Sequence, residues 1–144
     1  MKLERFVTNS EEETIALGRR LAERWPRPCA VLLIGTLGAG KTTLAKGIAA
    51  GAGAAEEEEV SSPTFPLIHE YGDPVAVYHI DLYRLDTEEE VIRIGLEEIL
   101  ERPALTLLEW AERFPRLLPK RRVEIRIKAA DDERREIEVA EIGD

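Results

Sequence analysis

Residues Gly35-Thr36-Leu37-Gly38-Ala39-Gly40-Lys41-Thr42 bring bare backbone, one ammonium and one hydroxyl together in the order Gly-x-x-x-x-Gly-Lys-Thr. That is the pattern of a P-loop, in which inward-facing backbone N–H groups surround a phosphate chain. Side chains at Gly35, Gly38 or Gly40 would block the approach or forbid the backbone angles it needs. The Lys41 ammonium is expected to reach the β- and γ-phosphates. The Thr42 hydroxyl is expected to ligate Mg²⁺, with Thr43 as its helical neighbour. The other reading of such a stretch is a glycine-rich strand-to-helix turn with no ligand; the full pattern in the right context favours the nucleotide. Gly35 through Thr43 are therefore the expected phosphate cradle.

Two further groups qualify for chemistry because each closes an apolar run. Asp81 ends "VAVYHI" and Glu109 ends "ALTLL". Ligands of open α/β sheets sit beyond the carboxyl ends of the strands, so either acid can face a bound nucleotide. Asp81 is assigned to the Mg²⁺ shell. Glu109 is assigned to the attacking water, and stands with Thr42 and Asp81 as a candidate Mg²⁺ ligand. A strand-end acid can also do no more than cap a nearby N–H. Within "SSPTF", Thr64 is the hydroxyl chosen to sense a γ-phosphate from a switch-like loop, with Ser62 second. The alternative there is a proline turn whose hydroxyls bond the backbone. Trp110 follows Glu109 and is either a wall beside the nucleotide, a partner contact or simple packing. His79, inside its strand, is read as structural. The candidate catalytic set is thus Glu109, Lys41 and Thr64, with Trp110 added to the nucleotide site.

These residues need elements to carry them. "LERFVT" alternates apolar and polar residues as an edge strand, and Ser10 with Glu13 has capping-box spacing for the helix that follows. That helix carries Ile15, Leu17, Leu21, Ala22 and Trp25 and stops at Pro26 and Pro28. "CAVLLI" is apolar throughout, as a strand buried on both faces of a parallel sheet is. A helix is expected from about Lys41 to Ala50. "GAGAAEEEE" reads as a surface loop, and "PTFPLIHEYG" as a proline-interrupted loop leading into a strand. Asp86 is taken as N-cap of one or two short helices broken near Gly95. "VEIRIKAADDERREIEVAEI" alternates on both sides of a charged turn and reads as an exposed antiparallel hairpin. The expected fold is an α/β P-loop NTPase: a three-layer sandwich with a mainly parallel central sheet plus antiparallel strands, spanning residues 1–144 as one domain.

Composition narrows the function. The chain has 144 residues, 44% of them apolar, and a formal charge of -9. Such a balance argues against strong tRNA or DNA binding by the chain alone, because phosphate contacts need a basic surface. "PKRR" (Pro119 to Arg122) is a small local exception. A single Cys29 with His69 and His79 offers no transition-metal set. No apolar run reaches membrane-spanning length and the first residues lack a signal-peptide core, so a cytoplasmic location is expected. The only Asn is Asn9, so the Asn-Lys-x-Asp guanine reader of GTPases is missing and ATP is favoured. A small-molecule kinase stays open, although none of Arg84, Arg93, Arg102 and Arg113 lies in an obvious glycine-flanked lid. A nucleotide-gated binding module without catalysis is a third reading.

"GTLGAGKTT", "SSPTF", "YHIDLYRL" and "LLEW", in that order, resemble the bacterial TsaE (YjeE) family, small ATPases of tRNA threonylcarbamoyladenosine biosynthesis. The likeness runs from the N-terminal helix to about Trp110. It implies a P-loop ATPase fold, weak intrinsic Mg²⁺-dependent ATP hydrolysis, and partnership with the TsaB–TsaD pair, where TsaD transfers the threonylcarbamoyl group to adenosine 37 of tRNAs reading ANN codons. It also implies that Lys41 and Thr42 serve phosphate and Mg²⁺, and that Asp81 is the Walker B acid. Thr64 would lie in the switch-like loop, and hydrolysis would need Glu109 with Trp110. Family members often carry an acid after the first loop glycine where this chain has Thr36. That position is a free one in the P-loop pattern, so nucleotide binding should survive the difference.

Overall fold

The computed structural model of the chain describes residues 1–36, 38–54 and 67–143. Seven strands form one sheet in the order β1-β7-β6-β2-β5-β4-β3. They are β1 (Lys2–Thr8), β2 (Cys29–Ile34), β3 (Ile68–Tyr71), β4 (Val77–Asp81), β5 (Leu105–Glu109), β6 (Arg122–Ala129) and β7 (Arg135–Ile142). The central strands β6, β2, β5 and β4 run parallel to one another. β3 joins β4, and β7 joins both β6 and β1, antiparallel. The expected mixture of a parallel core with antiparallel additions is what the sheet shows.

Helices cover both faces. α1 (Glu11–Arg24) and α2 (Lys41–Gly51) lie on one side. There Leu17 and Leu21 of the first helix, Trp25 just after its end, and Leu44 and Ile48 of the second pack with Val31, Leu33, Leu105 and Leu107 of the strands. The short helices α3 (Glu88–Arg93) and α4 (Leu96–Leu100) lie on the other side, where Val91, Leu96 and Ile99 meet Leu32, Ile80 and Leu108. Alternate residues of β2 and β5 thus feed opposite cores, which is why β2 is apolar throughout and β5 is interrupted before Glu109 only by the buried Thr106.

Three expectations need correction. The C-terminal hairpin is not an exposed appendage. Its first strand, β6, pairs parallel with β2 (Val31 opposite Val123, Leu33 opposite Ile125), and Val123, Ile125, Ile127, Ile137 and Val139 are buried. Its polar alternate residues are served locally: Glu124 is buried to 9% exposure between Arg122 and Arg126, at 2.7 and 3.2 Å. The cap of α3 is Thr87 rather than Asp86. Thr87 accepts the N–H of Glu90 at 3.2 Å while the Glu90 side chain accepts the N–H groups of Thr87 and Asp86. Ile15 of α1 is only partly buried, unlike the other residues of its expected stripe.

The two helices over the glycine loop approach unusually closely. A Cβ added to Gly47 of α2 would lie 2.1 Å from the Ile15 carbonyl oxygen, and one on Gly18 of α1 would lie 2.7 Å from that of Leu44. These glycines weaken helices intrinsically. Here they let the backbones touch, which fixes the depth at which α2 seats against the sheet.

Candidate functional site

The loop after β2 turns into α2 through two residues in the left-handed region, Gly38 (φ +82°) and Gly40 (φ +108°). Such angles favour glycine strongly. Gly35 is required for another reason: its Cβ would lie 2.7 Å from the Ile127 carbonyl oxygen on β6. So the first loop glycine answers to the sheet and the later two to the turn. Thr36 is exposed, Ala39 is buried, and Leu37 lies outside the described residues.

The N-terminus of α2 differs from those of its neighbours. α1 has Ser10 accepting the N–H of Glu13 at 3.1 Å and three acids in its first turn; α3 has a full capping box. α2 begins at Gly40 with no side-chain cap and no acid in its first turn. With no N-cap side chain to accept them, its first-turn N–H groups and the positive end of its dipole suit an anion. Thr42 and Thr43, in that turn, are half-buried.

Asp81 and Glu109 are register partners on adjacent parallel strands, so both acids stand at one level of the sheet. Asp81 is half-buried and its Oδ1 accepts the N–H of Tyr83 at 2.9 Å. Its carboxyl is held above the ordinary range, first by burial and then by the nearby Glu109. The Tyr83 N–H, Lys41 and His79 pull in the opposite direction. Glu109 is 3% exposed and engaged at both oxygens: Oε1 lies 3.7 Å from Lys41 Nζ, and Oε2 lies 2.6 Å from His79 Nε2. Lys41 is itself 7% exposed. Its ammonium also lies 4.2 Å from the centroid of the Trp110 ring, a contact worth about 0.5–2 kcal/mol in general.

Trp110 reaches that position because its backbone is left-handed (φ +67°), which is rare for a bulky residue and turns the chain sharply away from β5. Its ring lies 5.1 Å from that of Tyr83. Arg113 then ties the two acidic strand ends together: Nη2 donates to the carbonyls of Leu82 and Leu85, each at 2.6 Å, and of Tyr83 at 3.1 Å. Arg113 is thereby committed to the backbone rather than to a phosphate lid, and Arg102 donates to the Tyr78 hydroxyl. Among the described residues, Gly35, Thr36, Gly38, Ala39, Gly40, Lys41, Thr42 and Thr43 form one strand–loop–helix segment, Glu109 and Trp110 meet Lys41, and Asp81 stands opposite Glu109 on the next strand. Thr64 and Ser62 lie outside the described residues.

Two residues on this site carry no clear signal in the sequence. His79 lies on Glu109. Arg135, from the C-terminal hairpin, overhangs the loop: a Cβ on Gly40 would be 3.4 Å from its Nε. Arg135 lines a cleft of about 60 Å³ with Glu11, Thr14, Gly40, Thr43 and Glu133. No local motif announces either contact, since each depends on strand pairing across the sheet. Larger hollows of about 400 and 440 Å³ lie elsewhere, one against α3 and α4 and one at the start of β2, the end opposite the glycine loop.

A strand, a glycine turn and an uncapped helix on an α/β sheet, facing two strand-end acids, define the P-loop class. A family model described as "Threonylcarbamoyl adenosine biosynthesis protein TsaE" matches residues 8–137. The chain belongs to the TsaE family. It is 41% identical to the "tRNA threonylcarbamoyladenosine biosynthesis protein TsaE" of Bacillus subtilis (strain 168), over 99% of this chain and 89% of that protein. A protein of the same description from Treponema pallidum (strain Nichols) is 37% identical, over 94% of this chain and 99% of its own length. The crystal structure of Bacillus subtilis YdiB superposes with a TM-score of 0.79 at 36% identity, over 99% of this chain and 87% of that one.

Proposed function

We propose that residues 1–144 act as one ATPase domain in forming threonylcarbamoyladenosine at position 37 of tRNA, through a Mg-ATP-dependent cycle on the TsaB–TsaD pair in the cytoplasm. The observation that carries the reading is the open, acid-free start of α2 behind Gly38 and Gly40, with Lys41 and two strand-end carboxylates at its mouth. Membership of the TsaE family and the printed names of the relatives supply the pathway.

Each residue has a task its surroundings suit. The first-turn N–H groups of α2 hold phosphate oxygens. Lys41, whose ammonium rests between Glu109 and Trp110, turns to the terminal phosphates. Thr42 and Asp81 are hard oxygen donors, one hydroxyl and one half-buried carboxylate. Mg²⁺ suits such a sparse set because it keeps phosphate oxygens and water as its remaining ligands. Bound there, Mg²⁺ supplies charge neutralisation at the phosphate oxygens. Glu109, with both oxygens already engaged, is better suited to orienting a water than to ligating the metal directly. Thr64 is retained as the proposed sensor of the γ-phosphate, and Trp110 as a wall of the site. Among the described residues no helix is long and apolar enough to cross a membrane, and the charge of -9 makes docking on a protein partner a better use of this surface than holding tRNA alone.

The test is to incubate the chain with Mg-ATP, with and without TsaB–TsaD. Free phosphate, released faster with the pair present, is expected. Phosphate transferred to a metabolite would replace this reading by a kinase, and intact ATP throughout would replace it by a binding module. Co-precipitation of the pair should depend on a non-hydrolysable triphosphate.

A further inference from the structure

His79 sits within β4, 0% exposed, among residues that are otherwise apolar until Asp81. The register sets it opposite Leu107, two positions before Glu109 on the neighbouring strand, so its ring lies one layer below the carboxylate. Nε2 is 2.6 Å from Glu109 Oε2. Nδ1 has no hydrogen-bond partner among the described residues. Burying a polar nitrogen without a partner costs about 1–3 kcal/mol, and an aliphatic side chain would fill this place without that cost. What the imidazole supplies in return is the hydrogen bond to Glu109. With Nδ1 unpartnered, the proton belongs on Nε2, where it is donated to the carboxylate.

The two partners of Glu109 are unlike. Lys41 approaches Oε1 from the loop side on a long flexible stem, at 3.7 Å, and is the group a triphosphate would draw away. His79 approaches Oε2 from within the sheet, rigidly and at shorter distance. We propose that His79 is the positioning residue of Glu109: its Nε2–H pins Oε2 while Oε1, the oxygen beside Lys41, is left to face the attacking water. This rests on the ATPase reading above and names the group that gives Glu109 its fixed orientation. A glutamate side chain held at one oxygen keeps the other aimed when Lys41 leaves, which is the preorganisation a water-orienting base requires.

The test compares His79→Leu and His79→Gln with the native chain, reading Mg-ATP affinity by calorimetry, kcat and KM by phosphate release, and the melting temperature. A glutamine amide N–H can stand close to where the Nε2–H stood. For His79→Leu the expected result is an unchanged dissociation constant, within about threefold, and a kcat lowered about 10- to 100-fold; His79→Gln should recover most of that loss. A His79→Leu chain with native kcat overturns the proposal, as does a parallel loss of affinity and turnover, or a His79→Gln chain no better than His79→Leu.

If His79→Leu does not fold, nitrogen-resolved imidazole spectra of the native chain decide. His69 and His79 are the only two histidines. His79 should show the Nε2–H tautomer and shift on Glu109→Gln; an Nδ1–H tautomer, or no shift, overturns the proposal. A native chain that neither binds nor hydrolyses ATP while this signature persists would overturn the ATPase reading, and the catalytic role with it, yet leave the His79–Glu109 bond standing. The two failures are thereby told apart.

Discussion

At the ends of β4 and β5, Asp81 and Glu109 stand side by side at the same register but in different company. Asp81 is half-buried, meets one backbone N–H, and has its carboxyl pushed up chiefly by burial. Glu109 is buried, with one oxygen beside Lys41 and the other on His79. In the sequence each is an acid closing an apolar run, with Asp81 assigned to the Mg²⁺ shell and Glu109 to the attacking water. Their surroundings separate them: an acid with accessible lone pairs suits a hydrated cation, whereas one locked in a polar cluster suits the orientation of a single water. The same sheet edge thus gives two neighbouring acids different tasks by varying what lies against each.

The comparison can be broken from several directions. Lys41→Ala should have the largest effect, weakening Mg-ATP binding at least about 100-fold in calorimetry, because it removes the one cation in the loop. Glu109→Gln should lower phosphate release about 100-fold or more while leaving the dissociation constant within about threefold. A Glu109→Gln chain that binds poorly but turns over normally once saturated would reverse the assignment of the two acids.

Both assignments assume that α2 is seated correctly. Gly47→Ala, whose new Cβ would lie 2.1 Å from the Ile15 carbonyl oxygen, should destabilise the fold by about 1–3 kcal/mol in denaturant titrations. The better helix propensity of alanine, about 1 kcal/mol, would offset only part of that strain. Asp81→Asn should weaken binding about 10-fold at limiting Mg²⁺, with recovery as Mg²⁺ is raised. Asp81 also predicts the sign of a pH effect. Its folded carboxyl titrates above the ordinary aspartate value, chiefly because it is buried, so the folded state favours the protonated form. Without ligand, Asp81→Asn should melt higher than the native chain at neutral pH. That advantage should shrink as the pH falls through the raised pKa and vanish below the ordinary carboxylate range.

Much of the site was legible because its signals are local. Gly35 to Thr42 form a contiguous pattern, and the acids follow runs whose apolar continuity marks buried strands. Ser10 and Glu13 announce the start of α1, although Glu13 Oε1 takes the N–H of Asn9 rather than that of Ser10. What was not legible depends on pairing between distant segments. Alternation over Val123, Ile125 and Ile127 identifies a strand but not its neighbour, and it is the pairing of β6 with β2 that buries the hairpin. The same pairing brings Ile127 against Gly35 and Arg135 over Gly40. The partner of His79 was not legible, because one polar residue in an apolar strand gives no hint of what the next strand offers it. Gly18 and Gly47 carry no local signal, since the backbone that each must clear belongs to a different helix.

The most direct test of the central claim is isothermal titration of the folded chain with ATP, with and without Mg²⁺. The predicted result is a saturable heat at one site per chain, stronger with Mg²⁺ and lost in Lys41→Ala. No heat of association with Mg-ATP, either for the chain alone or in the presence of TsaB–TsaD, would contradict it.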